Sequence, residues 1–392
     1  MDFSIPEDLK MVQTLARDFV QDQLIPLEKE ILGRDSDLEG ARRHLAPEKQ
    51  AELIKIAKET GLWGVGIPDE LGGAGLGVLG TCLVEEELAK SVLPFNLGDV
   101  TPILFECNME QRSNYLAPAV EGLKTPYLAL FEPGGGADPA ALKTQASKSS
   151  GGYILNGKKA VYSAGEKCDF AIVFAVTDPG QGSRAGITCF LVDNGTPGFS
   201  IQSNKTQTGW RAQAAEPIIL TFNNCQVAAT QVLGEEGKAF HLGWKWLPAR
   251  RIIRGARCLG AAVRLLDKAV EHAKSWTSYG RAISGRPAVL TSLAEIDIDI
   301  KAARLLVYQA ACDADSGQTV LTQAAAVKIF TTEMLKRVAD RAVLIKGGPG
   351  PATGLPLEYL CQSMVVQNIF EHALEAQKLI VANNILKAGK II

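Results

Sequence analysis

Residues 128–142 read LALFEPGGGADPAAL. An apolar run ends in a lone carboxylate, Glu132, and is followed by a proline and three consecutive glycines. The chain leaves a strand there and strips the side chains from the turn that follows. Three glycines permit positive φ and let a ligand approach bare backbone N–H groups. A flexible surface turn is the other reading, because a lone glycine run is a weak motif.

On the N-terminal side of this stretch the pattern is helical. LKMVQTLARDFVQDQLIPLEKEIL, AELIKIAKETGLW and GTCLVEEELAKSVL repeat apolar residues at three and four, and GVGIPDELGGAGLG breaks between them at Pro68, Gly72 and Gly73. On the C-terminal side the period shortens toward two, in YLALF, GYILNGKKAVYS, FAIVFAVT, GITCFLVD, GFSIQ and PIILTFNNCQV. Asn156-Gly157 predicts a two-residue hairpin turn, which needs positive φ at both positions. Beyond residue 235 four helical segments, each longer than about 20 residues, are joined by SYGRAISGRP and GGPGPATGLP, which predicts a four-helix bundle. The expected fold is multidomain α+β. An N-terminal all-α domain spans 1–124, a middle β-barrel or stacked-sheet domain spans 125–233, and the bundle spans 234–392. Long bundle helices often bury an outer face against another subunit, so an oligomer is expected.

Composition narrows the function. A formal charge of −2 with Lys and Arg spread along 392 residues leaves no footprint for nucleic acid. No run approaches a membrane span, and the first residues lack a basic region followed by an apolar one, so a soluble cytoplasmic protein is expected. Eight cysteines form no C-x-x-C pair and read as reduced, mostly buried small hydrophobes. Four scattered histidines give no metal-ligand spacing, and no metal site is expected.

The α–β–α order, with Glu-Pro-Gly at a strand end, resembles the acyl-CoA dehydrogenase family along essentially the whole chain. The carriers are GLWGVGIPDELGGAGLG, LALFEPGGGADPAAL, LNGKKAVYSAG, CFLVDNGTPGFSI, VLGEEGKAFHLGW, GARCLGAAVRLLDKAVEHA, IKGGPG and NIFEHALEAQ, in that order. The resemblance implies bound FAD and oxidation of an acyl-CoA thioester between its α and β carbons. A carboxylate removes the α proton while the β hydrogen leaves as hydride to the flavin, so base and ring face opposite sides of the substrate. By resemblance the base is Glu371, against the plain reading of a solvated helix glutamate. The N–H of His372 would hold the thioester oxygen, and Phe370, Ala137 and Arg251 would border the substrate. For Arg251 an ordinary helix arginine is the alternative. The resemblance also implies an electron-transfer flavoprotein as acceptor. It makes Glu132 and the glycines the floor of the cleft, with Asp138 capping the turn.

The same resemblance places the FAD contacts on Leu130, Phe131, Gly136, Ala137, Val161, Ser163, Trp276, Tyr279, Leu344, Gly347, Gly348, Ala373 and Glu375. Several depart from the family pattern. Phe131 stands for Thr, Val161 for Trp, Ser163 for Thr, Trp276 for the Arg on the diphosphate, Leu344 for Gln, Ala373 for Thr, Ala137 for Ser, and Gln362-Ser363 for Arg-Asp. Each lost polar contact is worth about 0.5–1.5 kcal/mol, or about 1.5–3 where a charge is involved. Three readings follow: a working FAD enzyme held largely by backbone contacts, a flavin-poor subunit paired with a better-equipped paralogue, and a relative performing other flavin chemistry. The intact Glu371 speaks against the last.

Overall fold

The computed structural model describes residues 4–28, 45–93, 95–135, 141–162, 167–181, 186–203, 217–348, 357, 359–361 and 373–388. Gly136, Ala137, Asp138, Ser163, Gln362, Ser363, Phe370, Glu371 and His372 lie outside the described residues.

The longest helices described in the N-terminal part are α1 (Glu7–Phe19), α2 (Pro47–Glu59) and α3 (Gly77–Leu88). Apolar residues of α1 and its continuation, Ala16, Phe19, Val20 and Leu24, fall at helical spacing. They pack on Leu53 and Ala57 of α2 and on Val84 and Leu88 of α3. Helix α3 is buried from Leu79 to Leu88, including three consecutive acids. Successive helical residues point about 100° apart, so Glu85, Glu86 and Glu87 reach three different partners. Glu85 pairs with Arg257 at 2.6 Å. Glu86 takes Arg304 at 2.6 Å and the Tyr308 hydroxyl at 2.8 Å. Glu87 takes Lys90 at 2.5 Å and Arg17 at 3.2 Å. Asp315 accepts from the backbone N–H groups of Val78 and Leu79 at 2.6 and 2.9 Å, capping α3 from another part of the chain.

The middle part is one mixed sheet of β1 (Pro126–Ala129), β2 (Gln145–Ser149), β3 (Gly152–Tyr162), β4 (Phe170–Val176), β5 (Ile187–Asp193), β6 (Phe199–Ser203), β7 (Pro217–Ala228) and β8 (Val232–Leu233). Its order is β6-β7-β3-β2-β4-β5-β8, with β1 parallel to β4 off that path. The expected barrel is therefore corrected: the sheet is open, because the terminal strands β6 and β8 do not pair with each other among the described residues. The sheet instead curls over an apolar core that includes Leu155, Phe190, Val192, Leu220 and Phe222, with the Tyr153 and Phe190 rings 5.0 Å apart. Strand β4 reads FAIVFAV because both its faces are covered. Ala171, Val173 and Ala175 enter that core, while Phe170, Ile172 and Phe174 pack on Leu104, Tyr115 and Leu116 of the N-terminal part.

The hairpin expected at Asn156-Gly157 is also corrected. The β2–β3 turn falls at 150–151, between paired Ser149 and Gly152, and Asn156-Gly157 lies within β3 at a register shift. Gly157 has φ +147°, and a Cβ there would come within 2.6 Å of Thr144. The glycine serves a bulge and a close approach rather than a turn.

The C-terminal helices are α4 (Ala239–Ser275), α5 (Pro287–Asp315), α6 (Leu321–Lys346) and α7 (Leu374–Ala388); a short hairpin, β9 (Thr277–Ser278) with β10 (Arg281–Ala282), follows α4. Leu259 and Leu265, Ile296 and Val307, and Val327 and Met334 share the core of α4, α5 and α6. Helix α4 crosses α3 so closely at Gly260 that a Cβ there would lie 2.0 Å from the Glu86 carbonyl. As the single-cysteine pattern predicts, all eight cysteines are free; Cys312 is exposed, Cys361 partly so, and the others are buried.

Candidate active site

Glu132 is the centre of the glycine-turn region. One carboxylate oxygen accepts the Lys143 N–H at 2.8 Å; the other accepts the Thr144 N–H at 2.8 Å and the Lys159 ammonium at 3.0 Å. The carboxylate thus ties residue 132 to residues 143 and 144 further along the chain. Lys159, fully buried on β3, also donates to the Leu130 carbonyl at 3.2 Å, and Ala160 N–H bonds the Phe131 carbonyl at 2.9 Å. Residues 130–132 are therefore fixed to β3 by side chain and backbone together. Burial pushes the Glu132 carboxyl up, but bonds from Thr144, Lys143 and Lys159 bring it below its ordinary value. Burial lowers the Lys159 ammonium to about 8, against the opposing pull of Glu132. Lys159 carried no signal in the sequence beyond its place in LNGKKAVYS; that its strand pairs on both sides is seen only in the structure.

The candidate cofactor residues that are described fall into two groups. On the sheet, Leu130 is half-buried, the Phe131 ring is partly exposed, and Val161 is buried in the sheet core. At the end of the bundle, Trp276, Tyr279 and Leu344 are 50%, 95% and 79% exposed. Gly347, at φ +67°, and Gly348 follow Leu344 at the end of α6, and a Cβ at either would meet none of the described residues. Ala373 and Glu375 are exposed at the start of α7. Arg251 is buried on α4. Gln377, two residues beyond Glu375, is buried with both side-chain polar atoms unpartnered among the described residues.

The chemistry of this set fits FAD. The Phe131 and Trp276 rings are exposed, and a Cβ at Gly134, Gly347 or Gly348 would meet none of the described residues; apolar faces and bare backbone of this kind are what a planar ring and a diphosphate require. Phe131, Val161 and Leu344 carry no side-chain donor and Trp276 offers only its indole N–H, so a flavin held here would rest largely on backbone and on apolar faces.

Comparison with known proteins bears on the same site. The N-terminal, middle and C-terminal domain models of acyl-CoA dehydrogenase match residues 6–123, 128–225 and 241–386. The (R)-benzylsuccinyl-CoA dehydrogenase of Thauera aromatica is 34% identical over 100% of this chain and 98% of its own length. The butyryl-CoA dehydrogenase structure from Megasphaera elsdenii is 30% identical with a TM-score of 0.86, covering 98% of this chain and 100% of that one. The FAD complex of PigA is 26% identical with the same TM-score, over 98% and 99% of the two chains. Full-length likeness to FAD enzymes sets aside the reading as a flavin-poor subunit. The cytoplasmic expectation is corrected as well. The short-chain specific acyl-CoA dehydrogenase of Homo sapiens, 29% identical over 98% of this chain, is mitochondrial, so the missing leader pattern does not decide the compartment. The chain belongs to the acyl-CoA dehydrogenase family, and its chemistry is FAD-dependent α,β-desaturation of an acyl-CoA thioester.

Proposed function

We propose that Glu371 removes the α proton of the bound thioester, with the His372 N–H and the border formed by Phe370, Ala137 and Arg251 orienting it. The observation that supports this assignment is the run NIFEHALEAQ, which lies within the matched C-terminal domain and resembles the family's segment that carries the base. A carboxylate facing an apolar acyl group has a raised pKa, which suits proton removal near neutrality, and a positioned base contributes about 10²–10⁴-fold. FAD, when bound, accepts the β hydrogen as hydride. The assignment divides the work among three segments: 1–124 borders the acyl group, 125–233 carries the glycine turn and Ser163, and 234–392 supplies the base and the remaining FAD contacts.

The resemblance to the family further implies an oligomer in which a neighbouring subunit completes each site. The outer face of α5 supports the same reading, since Leu290, Ile298 and Leu305 are each more than half exposed at helical spacing. Electron-transfer flavoprotein is the proposed acceptor. The test is Glu371→Gln, which is expected to keep FAD bound while abolishing both bleaching of the flavin band by acyl-CoA and exchange of the α proton with deuterium oxide. Unchanged exchange and bleaching would remove Glu371 as the base.

A further inference from the structure

The end of α6 carries a cation, Lys346. Lys346 is the last residue of that helix, half-buried, and it forms no ion pair or hydrogen bond with any described side chain. Gly347 and Gly348 follow it, both exposed, and the Gly348 N–H reaches no backbone carbonyl among the described residues. Helix α4 ends beside this corner. The His272 pKa is lowered first by burial and then by the charge of Lys346. Glu271, bonded to Lys268 at 2.7 Å, also feels the Lys346 charge, more weakly than that of Lys268. The Trp276 ring stacks on His272 with centroids 5.4 Å apart and planes 23° from parallel, leaving half of Trp276 exposed. One corner of the bundle thus combines an ammonium with no bonded counter-ion among the described residues, two bare glycines and an aromatic plate.

This arrangement suits an anionic group attached to a flat ring system. Trp276 occupies the position where an arginine would meet the flavin diphosphate, and an indole supplies neither the charge nor the paired donors of a guanidinium. We propose that Lys346, together with the backbone N–H of Gly348, binds the diphosphate of FAD in place of the arginine missing at 276. The proposal rests on the FAD-dependent reading above. Lysine meets phosphate as a point charge rather than as a fork, so the site tolerates a shift of the anion that an arginine site would resist.

The test uses the full chain stripped of FAD and titrated with FAD and with riboflavin, which lacks the diphosphate. Lys346→Met is expected to weaken FAD binding by about ten- to a hundredfold, the value of a charge-assisted hydrogen bond, while riboflavin affinity stays the same. Lys346→Arg should keep FAD affinity, and Trp276→Arg added to Lys346→Met should recover it. FAD affinity within about twofold of wild type in Lys346→Met, or equal weakening of FAD and riboflavin, overturns the proposal. A wild-type chain that binds neither compound overturns the flavin reading and this proposal with it.

Discussion

Lys159 carries its charge into a place closed to solvent, where Glu132 and the Leu130 carbonyl are its partners. Removing one partner of a buried pair leaves the other uncompensated, at a cost of about 3–5 kcal/mol. Lys159→Met should lower the unfolding free energy by that order in denaturant titrations. The pair also gives a pH signature. The folded pKa of Lys159, lowered by burial to about 8, lies below the ordinary ammonium value. Between the two values the unfolded chain holds a proton that the folded chain has released, so this residue adds stability as pH rises through that window. Buried thiols work in the opposite sense. Burial raises Cys107 and Cys168 to about 12, so the unfolded chain loses those protons first and stability falls with rising pH. The quantity to measure is therefore the stability of wild type minus that of Lys159→Met, which should increase from about pH 8 to about pH 10; a flat or falling difference would contradict a depressed Lys159 pKa. None of this was legible in the sequence, where Lys159 is one of two adjacent lysines in a strand and nothing local tells which one is buried.

At the scale of elements, α3 is the strut between the N-terminal helices and the bundle. Its alternatives to packing are poor, because three adjacent acids must each find a cation once the helix is buried. Arg257 of α4, Arg304 of α5 and Arg17 of α1 supply them from three directions. The run LVEEELAK reads from sequence as a helix with a solvated acidic face, and the periodicity gives the helix correctly. What periodicity cannot give is that the acidic face is also buried, since that depends on arginines some 70 to 220 residues away in the chain. Gly260 is the complementary feature, the gap that lets α4 approach the backbone of α3. Gly260→Ala forces a Cβ into a space where the Glu86 carbonyl lies 2.0 Å away, so the helices must separate. A loss of about 1–3 kcal/mol is expected from overpacking, readable as a lower denaturation midpoint. An unchanged midpoint would mean that the two helices yield freely. The Asn156-Gly157 pair belongs to the same lesson: local sequence signals an unusual backbone at Gly157, and the approach of Thr144 decides that it is a bulge.

At the scale of the whole molecule, α5 presents Leu290, Ile298 and Leu305 outward, and a face of that kind is stable in water chiefly when another chain covers it. Ile298→Lys should shift the protein toward smaller species in size-exclusion chromatography with light scattering. If each FAD site is completed across that assembly, the variant should also lose FAD on dilution; full FAD retention by a dissociated chain would argue against a shared site. The sequence by itself determined the α–β–α order, the helical nature of both ends, the family and the glycine turn after Glu132, because periodicity and motif order are properties of neighbours along the chain. Tertiary structure alone decided that the sheet stays open, that Glu132 is clamped by a buried lysine, that three acids hold the helical parts together, and that the Lys346 charge reaches His272 at the end of α4. Each of these depends on which distant residues share a space once water has been excluded, and burial of charge, unlike periodicity, leaves no mark on adjacent residues.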